Sequence, residues 1–120
     1  MKKILIADDK ASSRELVRTV LERAGYEVTE AADGAEAVAL ARATGPDLVL
    51  LDLHMPVLDG FGAVGQLRAE PRFAATPVVA LTASAMDGDR EHAMTAGFSG
   101  YITKPIRLAA LRAEVRRLIG

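Results

Sequence analysis

Three short stretches of the chain, residues 4–7, 48–51 and 77–81, are apolar without a polar interruption. Runs of that length read as strands buried on both faces, the habit of central strands in a parallel sheet. Residues 26–31 alternate instead, which predicts a strand with one wetter face, near a sheet edge. Residues 100–103 make a fifth predicted strand. Between the strands, apolar positions return at the helical period. Leu16, Val17, Val20, Leu21 and Ala24 share one face, with Ser12 and Glu15 at capping-box spacing before them and Gly25 after. Asp33 and Glu36 repeat that spacing and predict a helix from Gly34 to about Ala43, stopped by Gly45 and Pro46. Asp59 and Gly60 turn the chain into a helix over residues 61–69, which Gly62 and Gly65 each weaken by up to about 1 kcal/mol relative to Ala. Pro71 and Pro77 bracket a loop. A short helix over about 87–96 has a thin apolar face of Ala93, Met94 and Ala96, with Gly97 as its C-cap. Leu108, Leu111, Val115 and Leu118 stripe the last helix.

Strand and helix therefore alternate five times. This predicts an α/β fold, a doubly wound (βα)5 sandwich whose five-stranded parallel sheet has the flavodoxin-like order 2-1-3-4-5. The wetter second strand belongs at an edge, which favours that order. The sheet then reverses between strands 1 and 3, and ligands bind outside the carboxyl ends of strands at such a switch point. Residues 1–120 read as a single domain with no output domain.

Composition narrows the classes. No cysteine is present, so there is neither a disulfide framework nor a thiolate metal site, which fits a cytoplasmic location. Four apolar residues after Met1, Lys2 and Lys3 are too few for a signal-peptide core, and no later run is long enough to span a membrane. The formal charge is −1, with both signs mixed along the chain, unlike a nucleic-acid binder.

Candidate chemistry gathers at the strand ends. Strand 1 ends in Asp8 and Asp9, strand 3 in Asp52, strand 4 in Thr82 and strand 5 in Lys104. Each alone has an ordinary explanation as a cap or a solvated side chain, but five suitable groups on one rim point to a site. Asp9 and Asp52 are expected to face each other across the switch-point crevice. Three carboxylates so placed repel unless cations intervene. Lys104 supplies one charge, and a hard divalent ion held by carboxylates, water and a phosphate oxygen is how Mg²⁺ is usually bound. A carboxylate can act as nucleophile and form an acyl phosphate. Mg²⁺, an ammonium and the Thr82 hydroxyl are suitable partners for phosphoryl oxygens, and Ala83 is small enough to leave room for the group.

Asp8 with Asp9, Asp52 followed by Met55, Pro56, Asp59 and Gly60, Thr82 with Ala83, and Lys104 with Pro105 together resemble the receiver domain of two-component response regulators, over essentially the whole chain. The resemblance implies that Asp52 accepts a phosphoryl group from a phosphohistidine on a histidine kinase or histidine phosphotransfer protein. It implies that Asp9, Asp52 and the main-chain carbonyl of His54 ligate Mg²⁺, with Asp8 holding the ion through water, and that Thr82 and Lys104 bind phosphoryl oxygens. Tyr101 matches the family's aromatic switch residue. A downstream protein would then dock on the fourth helix, fifth strand and fifth helix, with the domain a monomer or weak dimer and self-dephosphorylation slow. A cis Lys104–Pro105 bond is also expected on this basis. Residues 85–89 are similar to stand-alone phosphorelay receivers and to receivers of hybrid kinases, so excision from a larger protein is an alternative.

Other readings are weaker. An Asp-nucleophile phosphatase wants a second acid two residues after the nucleophile, where this chain has His54, and it wants a cap domain. A flavin mononucleotide carrier wants a hydroxyl-rich phosphate loop after strand 1, where this chain has two acids. His54 and His92 lack the spacing of a metal pair, and His92 reads as a surface helix residue. The arginines of the last helix, Arg107, Arg112, Arg116 and Arg117, read as a solvated face.

Overall fold

In the computed structural model, which describes residues 1–83 and 89–120, the elements follow one another as β1 (Lys3–Ala7), α1 (Ala11–Arg23), β2 (Glu27–Ala31), α2 (Gly34–Thr44), β3 (Leu48–Asp52), α3 (Gly60–Arg68), β4 (Val78–Thr82), α4 (Asp89–Ala96), β5 (Gly100–Thr103) and α5 (Leu108–Ile119). The sheet is parallel throughout, in the order β2-β1-β3-β4-β5. The uninterrupted apolar runs form the middle of the sheet because both of its faces are covered. Leu5, Val49, Leu51, Val78 and Ala80 face a core completed by α2, α3 and Ala93 of α4. Ile4, Ile6, Leu48, Leu50, Val79 and Leu81 face the opposite core, completed by Val17, Val20 and Leu21 of α1 and by Leu111 and Val115 of α5. β2 lies at one edge, as its alternation predicts.

Several boundaries differ from the sequence expectation, each for a physical reason. Ser12 does not cap α1. The Asp8 side chain turns the chain first, accepting the Lys10 N–H at 2.9 Å, and the helix begins at Ala11 with Lys10 at the N-cap position. Leu16 is 47% exposed, because at 100° per residue it sits about a quarter-turn from the centre of the face formed by Val17, Val20 and Leu21. Ala24 is the exposed C-cap of α1. Met94 is also exposed, which leaves α4 a still thinner apolar face. The predicted start of that helix at Asp87, and the stretch 85–89 apart from the backbone of Asp89, lie outside the described residues. The loop between Pro71 and Pro77 contains a 3-10 turn, Pro71–Phe73, that buries Phe73. The second capping site is as read: Asp33 Oδ1 accepts the Glu36 N–H at 2.8 Å, and Gly45 ends α2 in the left-handed region. Among the described residues, no helix is long and apolar enough to cross a membrane.

Candidate functional site

The strand register brings the acids together. Ala7 pairs with Leu51, so the next residues, Asp8 and Asp52, stand side by side at the carboxyl end of neighbouring strands. One carboxylate oxygen from each of Asp8, Asp9 and Asp52 lies within 4.8 Å of the others. Asp8 is fully buried and Asp52 is 5% exposed, whereas Asp9 is exposed. A buried pair of carboxylates needs a counter-charge, and Lys104 provides it. Its Nζ donates to Asp8 Oδ2 at 2.7 Å and to Asp52 Oδ2 at 2.9 Å. Burial pushes the ammonium toward losing its proton. The hydrogen bonds and charges of Asp8 and Asp52 outweigh that, so the Lys104 pKa is raised above the ordinary lysine value.

Local structure aims these groups. The second oxygen of Asp52 accepts the His54 N–H at 3.0 Å. The loop after β3 closes tightly. The Leu58 N–H donates to the Pro56 carbonyl at 2.7 Å, which makes a γ-turn centred on Val57 at φ 68°. A β-branched residue there is a genuine backbone outlier, and Val57 is 82% exposed, so side-chain burial does not compensate it. Asp59 then caps α3 through the Gly62 N–H at 2.8 Å. Gly60 is required for close approach, because a Cβ there would lie 2.5 Å from the Asp52 carbonyl oxygen.

On the other side of the crevice, Thr82 is buried at the end of β4 and pairs with Thr103 of β5. The Lys104 N–H donates to the Thr82 carbonyl at 2.7 Å, and the Lys104–Pro105 bond is cis. All five strand-end residues therefore reach one rim. Tyr101, one strand pleat away, is half-buried against the core that contains Ala93 and Phe98. His92 is on the surface of α4, its ring stacked on Phe61 at 4.5 Å between centroids. Among the described residues, the Asp8, Asp9 and Asp52 cluster is the one group of histidines and acids arranged to hold a metal, so His54 and His92 do not make a second. The three carboxylates are hard oxygen donors, the set that fits Mg²⁺ or Ca²⁺ rather than a softer metal.

Arg14 is part of this site and carries no sequence signal for it. Its Nη1 donates to the main-chain carbonyl of Asp8 at 2.7 Å, while its Nε donates to Glu30 Oε1 at 3.1 Å.

Residues 4–116 match the family described as response regulator receiver domain. The chain is 41% identical over 119 residues to the transcriptional regulator RpaA of Synechocystis, covering 99% of this chain and 49% of that protein. It is 34% identical to the polar-differentiation response regulator DivK of Brucella anthropi, covering 99% of this chain and 97% of that one. The chain thus spans about half the length of the first curated relatives it matches. Among solved structures it is similar to the chemotaxis response regulator CheY4 of Vibrio cholerae, at TM-score 0.94 and 34% identity over 99% of both chains. It is also similar to the receiver domain of a sensor histidine kinase from Pseudomonas aeruginosa, at TM-score 0.91 and 38% identity over 99% of this chain and 98% of that one. That structure holds a magnesium ion in its active-site cleft.

Proposed function

Because the chain belongs to the receiver domain family of response regulators, and is therefore a phosphoacceptor switch of two-component signalling, we propose that Asp52 is the residue that takes the phosphoryl group. The observation that carries this reading is the bridging of Asp8 and Asp52 by Lys104 beside the exposed Asp9. Asp52 Oδ2, once Lys104 turns from it to the incoming phosphoryl group, attacks the phosphorus of a phosphohistidine on a kinase or phosphotransfer protein. The P–O bond forms as the P–N bond breaks, and the electron pair stays on the imidazole nitrogen, which takes a proton from solvent.

Asp9, Asp52 and the His54 carbonyl would hold Mg²⁺ directly, with Asp8 acting through water. When bound, the ion neutralises charge on the phosphoryl oxygens. Lys104 is already at the site as a cation and exchanges its Asp52 oxygen for a phosphoryl oxygen. The Thr82 hydroxyl moves toward the same group, and the space it leaves admits the Tyr101 ring. The surface made by α4, β5 and α5 changes with it, and a protein target binds there. By linkage, that target favours the phosphorylated state. Water slowly hydrolyses the acyl phosphate, and the exposed His54 side chain at the mouth of the site tunes that rate. The domain works in the cytoplasm as a monomer or weak dimer, either alone or within a longer kinase or regulator, and catalyses no other reaction. A phosphatase has no comparable support, since the residue two positions after Asp52 is His54.

Incubation with a small phosphodonor tests the assignment. Acid-stable, base-labile phosphate is expected on the wild type with Mg²⁺ and not with EDTA, and Asp52→Asn should take up none. Uptake by Asp52→Asn at the wild-type rate would refute it.

A further inference from the structure

We infer that Arg14 is a positioning residue of the cation site, acting through the peptide that joins Asp8 to Asp9. The two acids are adjacent in sequence but are held very differently. Asp8 is fixed at every polar atom. Its N–H donates to the Ala31 carbonyl at 3.1 Å, its Oδ1 accepts from the Lys10 N–H and its Oδ2 from Lys104. Asp9 is exposed, and among the described residues no side chain or backbone group binds its carboxylate. Its aim is therefore set by the backbone that carries it. The Asp8 carbonyl and the Asp9 N–H belong to one planar peptide unit. Whatever holds that carbonyl holds the plane, and with it the position of the Asp9 Cα and the axis of its N–Cα bond. Together with the Lys10 N–H on Asp8 Oδ1 at 2.9 Å, this limits the direction in which the Asp9 side chain leaves the chain.

Arg14 is the group that holds it. The guanidinium is a rigid fork, and its side chain is 18% exposed. One prong lies on the Asp8 carbonyl at 2.7 Å and another on Glu30 Oε1 at 3.1 Å. Glu30 is itself fixed, because its backbone pairs with Ile6 in the sheet and its other oxygen accepts from Arg18 at 2.9 Å. The Asp8–Asp9 peptide is thereby tied to β2 through one stiff side chain. Reacting and ligating groups have to be held within about 0.5 Å of their working geometry. The peptide after Asp9 is held by the Lys10 N–H on Asp8 Oδ1, and the peptide before it is held through its carbonyl by Arg14.

Electrostatics gives the inference a sign that separates it from simpler roles. Arg14 brings positive charge close to a site read as binding a dication. If charge alone mattered, neutralising Arg14 would tighten Mg²⁺. If Arg14 only tied α1 to β2, its loss would lower stability and leave affinity unchanged. Positioning requires the affinity to fall, and loss of a group that orients a metal ligand typically costs about 10–100-fold.

The inference rests on the reading of the acids as a Mg²⁺ site, and the test separates the two. Mg²⁺ is titrated by calorimetry into the whole chain as wild type, Arg14→Gln, Arg14→Lys and Arg18→Gln, with folding checked by circular dichroism. Arg14→Gln is expected to bind Mg²⁺ at least about tenfold more weakly. Arg14→Lys should be intermediate, because an ammonium can reach the carbonyl but cannot span to Glu30 as well. Arg18→Gln, which loosens the Glu30 side chain but leaves its backbone pairing and the Arg14 bond to the Asp8 carbonyl in place, should weaken binding less than Arg14→Lys. Unchanged or tighter binding in Arg14→Gln overturns the inference, as does equal weakening in Arg14→Gln and Arg18→Gln. If Arg14→Gln does not fold, Arg14→Lys decides, and wild-type affinity in that variant overturns it. A wild type that binds no Mg²⁺ overturns the underlying reading along with the inference.

Discussion

Replacing Lys104 with Met removes the one side-chain cation among the described residues that touches both Asp8 and Asp52. The two carboxylates stay buried, at 0% and 5% exposed, and with Asp9 their oxygens lie within 4.8 Å of one another. Taking one partner from a buried ion pair costs about 3–5 kcal/mol, mainly through the charge left behind. A domain of this size has about 5–15 kcal/mol in total, so the loss is a large fraction of its stability, and circular dichroism without denaturant checks that the variant is folded. Asp52→Asn changes the result in a specific direction. It removes one of the stranded charges, so in the double variant Asp8 alone lacks its cation and still accepts the Lys10 N–H. The double variant is therefore expected to be more stable than the sum of the single effects by about 0.5–3 kcal/mol, the range seen for residues in one network. Urea unfolding in EDTA, followed by circular dichroism with m-values compared across the four proteins, measures this. Adding Mg²⁺ should rescue Lys104→Met more than it stabilises the wild type, because a ligand that binds only the native state adds RT ln(1 + [L]/Kd). Additivity within about 0.5 kcal/mol would show that Lys104 is not the counter-ion of Asp52.

The remaining expectations follow from single positions. Gly65 is exposed within α3, and a Cβ there would meet nothing within 4 Å, so Gly65→Ala should add about 0.8–1 kcal/mol to stability, read as a higher Tm. Gly60→Ala in the same helix should do the reverse, because its Cβ would press on the Asp52 carbonyl; equal shifts in the two variants would contradict this packing. Val57→Gly relieves a backbone strain of about 1–3 kcal/mol and gives back about 0.5–1 kcal/mol in unfolded-chain entropy, so the Tm should rise. A Tm lowered by Val57→Gly would rule out the γ-turn strain. The pH profile should fall off at both ends. The Lys104 pKa is raised, so the stability its bridges give is complete below the ordinary lysine value of 10.5 and is lost as pH rises through the folded-state value. The Glu30 pKa is lowered, first by its hydrogen bond from Arg18, so its contribution is complete above the ordinary value of 4.5 and is lost as pH falls through the folded-state value. Urea midpoints of Lys104→Met and Glu30→Gln against wild type across pH test the alkaline and the acid limb separately.

What was legible in the sequence was whatever depends on a strand and its end. A run such as residues 48–51 can only be buried on both faces, and in a parallel sheet every strand delivers its last residue to the same rim. Topology alone therefore places Asp8, Asp52, Thr82 and Lys104 on one rim. Arg14 was not legible. An arginine on a helix reads as solvated, and its partner is a main-chain carbonyl that carries no residue identity. Val57 was equally silent, since its positive φ comes from how Pro56 and Leu58 close the loop and not from its own preference. The spacing of Ser12 and Glu15 misled for a related reason. The helix start was decided by the Asp8 side chain three residues earlier, a group the sequence assigned to the site and not to the turn.

The assignment of Asp52 as phosphoacceptor is tested most directly by chemical mapping. Wild-type protein is treated with a small phosphodonor and Mg²⁺, reduced with borohydride, which converts an aspartyl phosphate to homoserine, and digested for peptide mass spectrometry. The expected result is homoserine at position 52 alone, absent when Mg²⁺ is withheld. Homoserine at Asp8 or Asp9 with Asp52 intact would contradict the assignment.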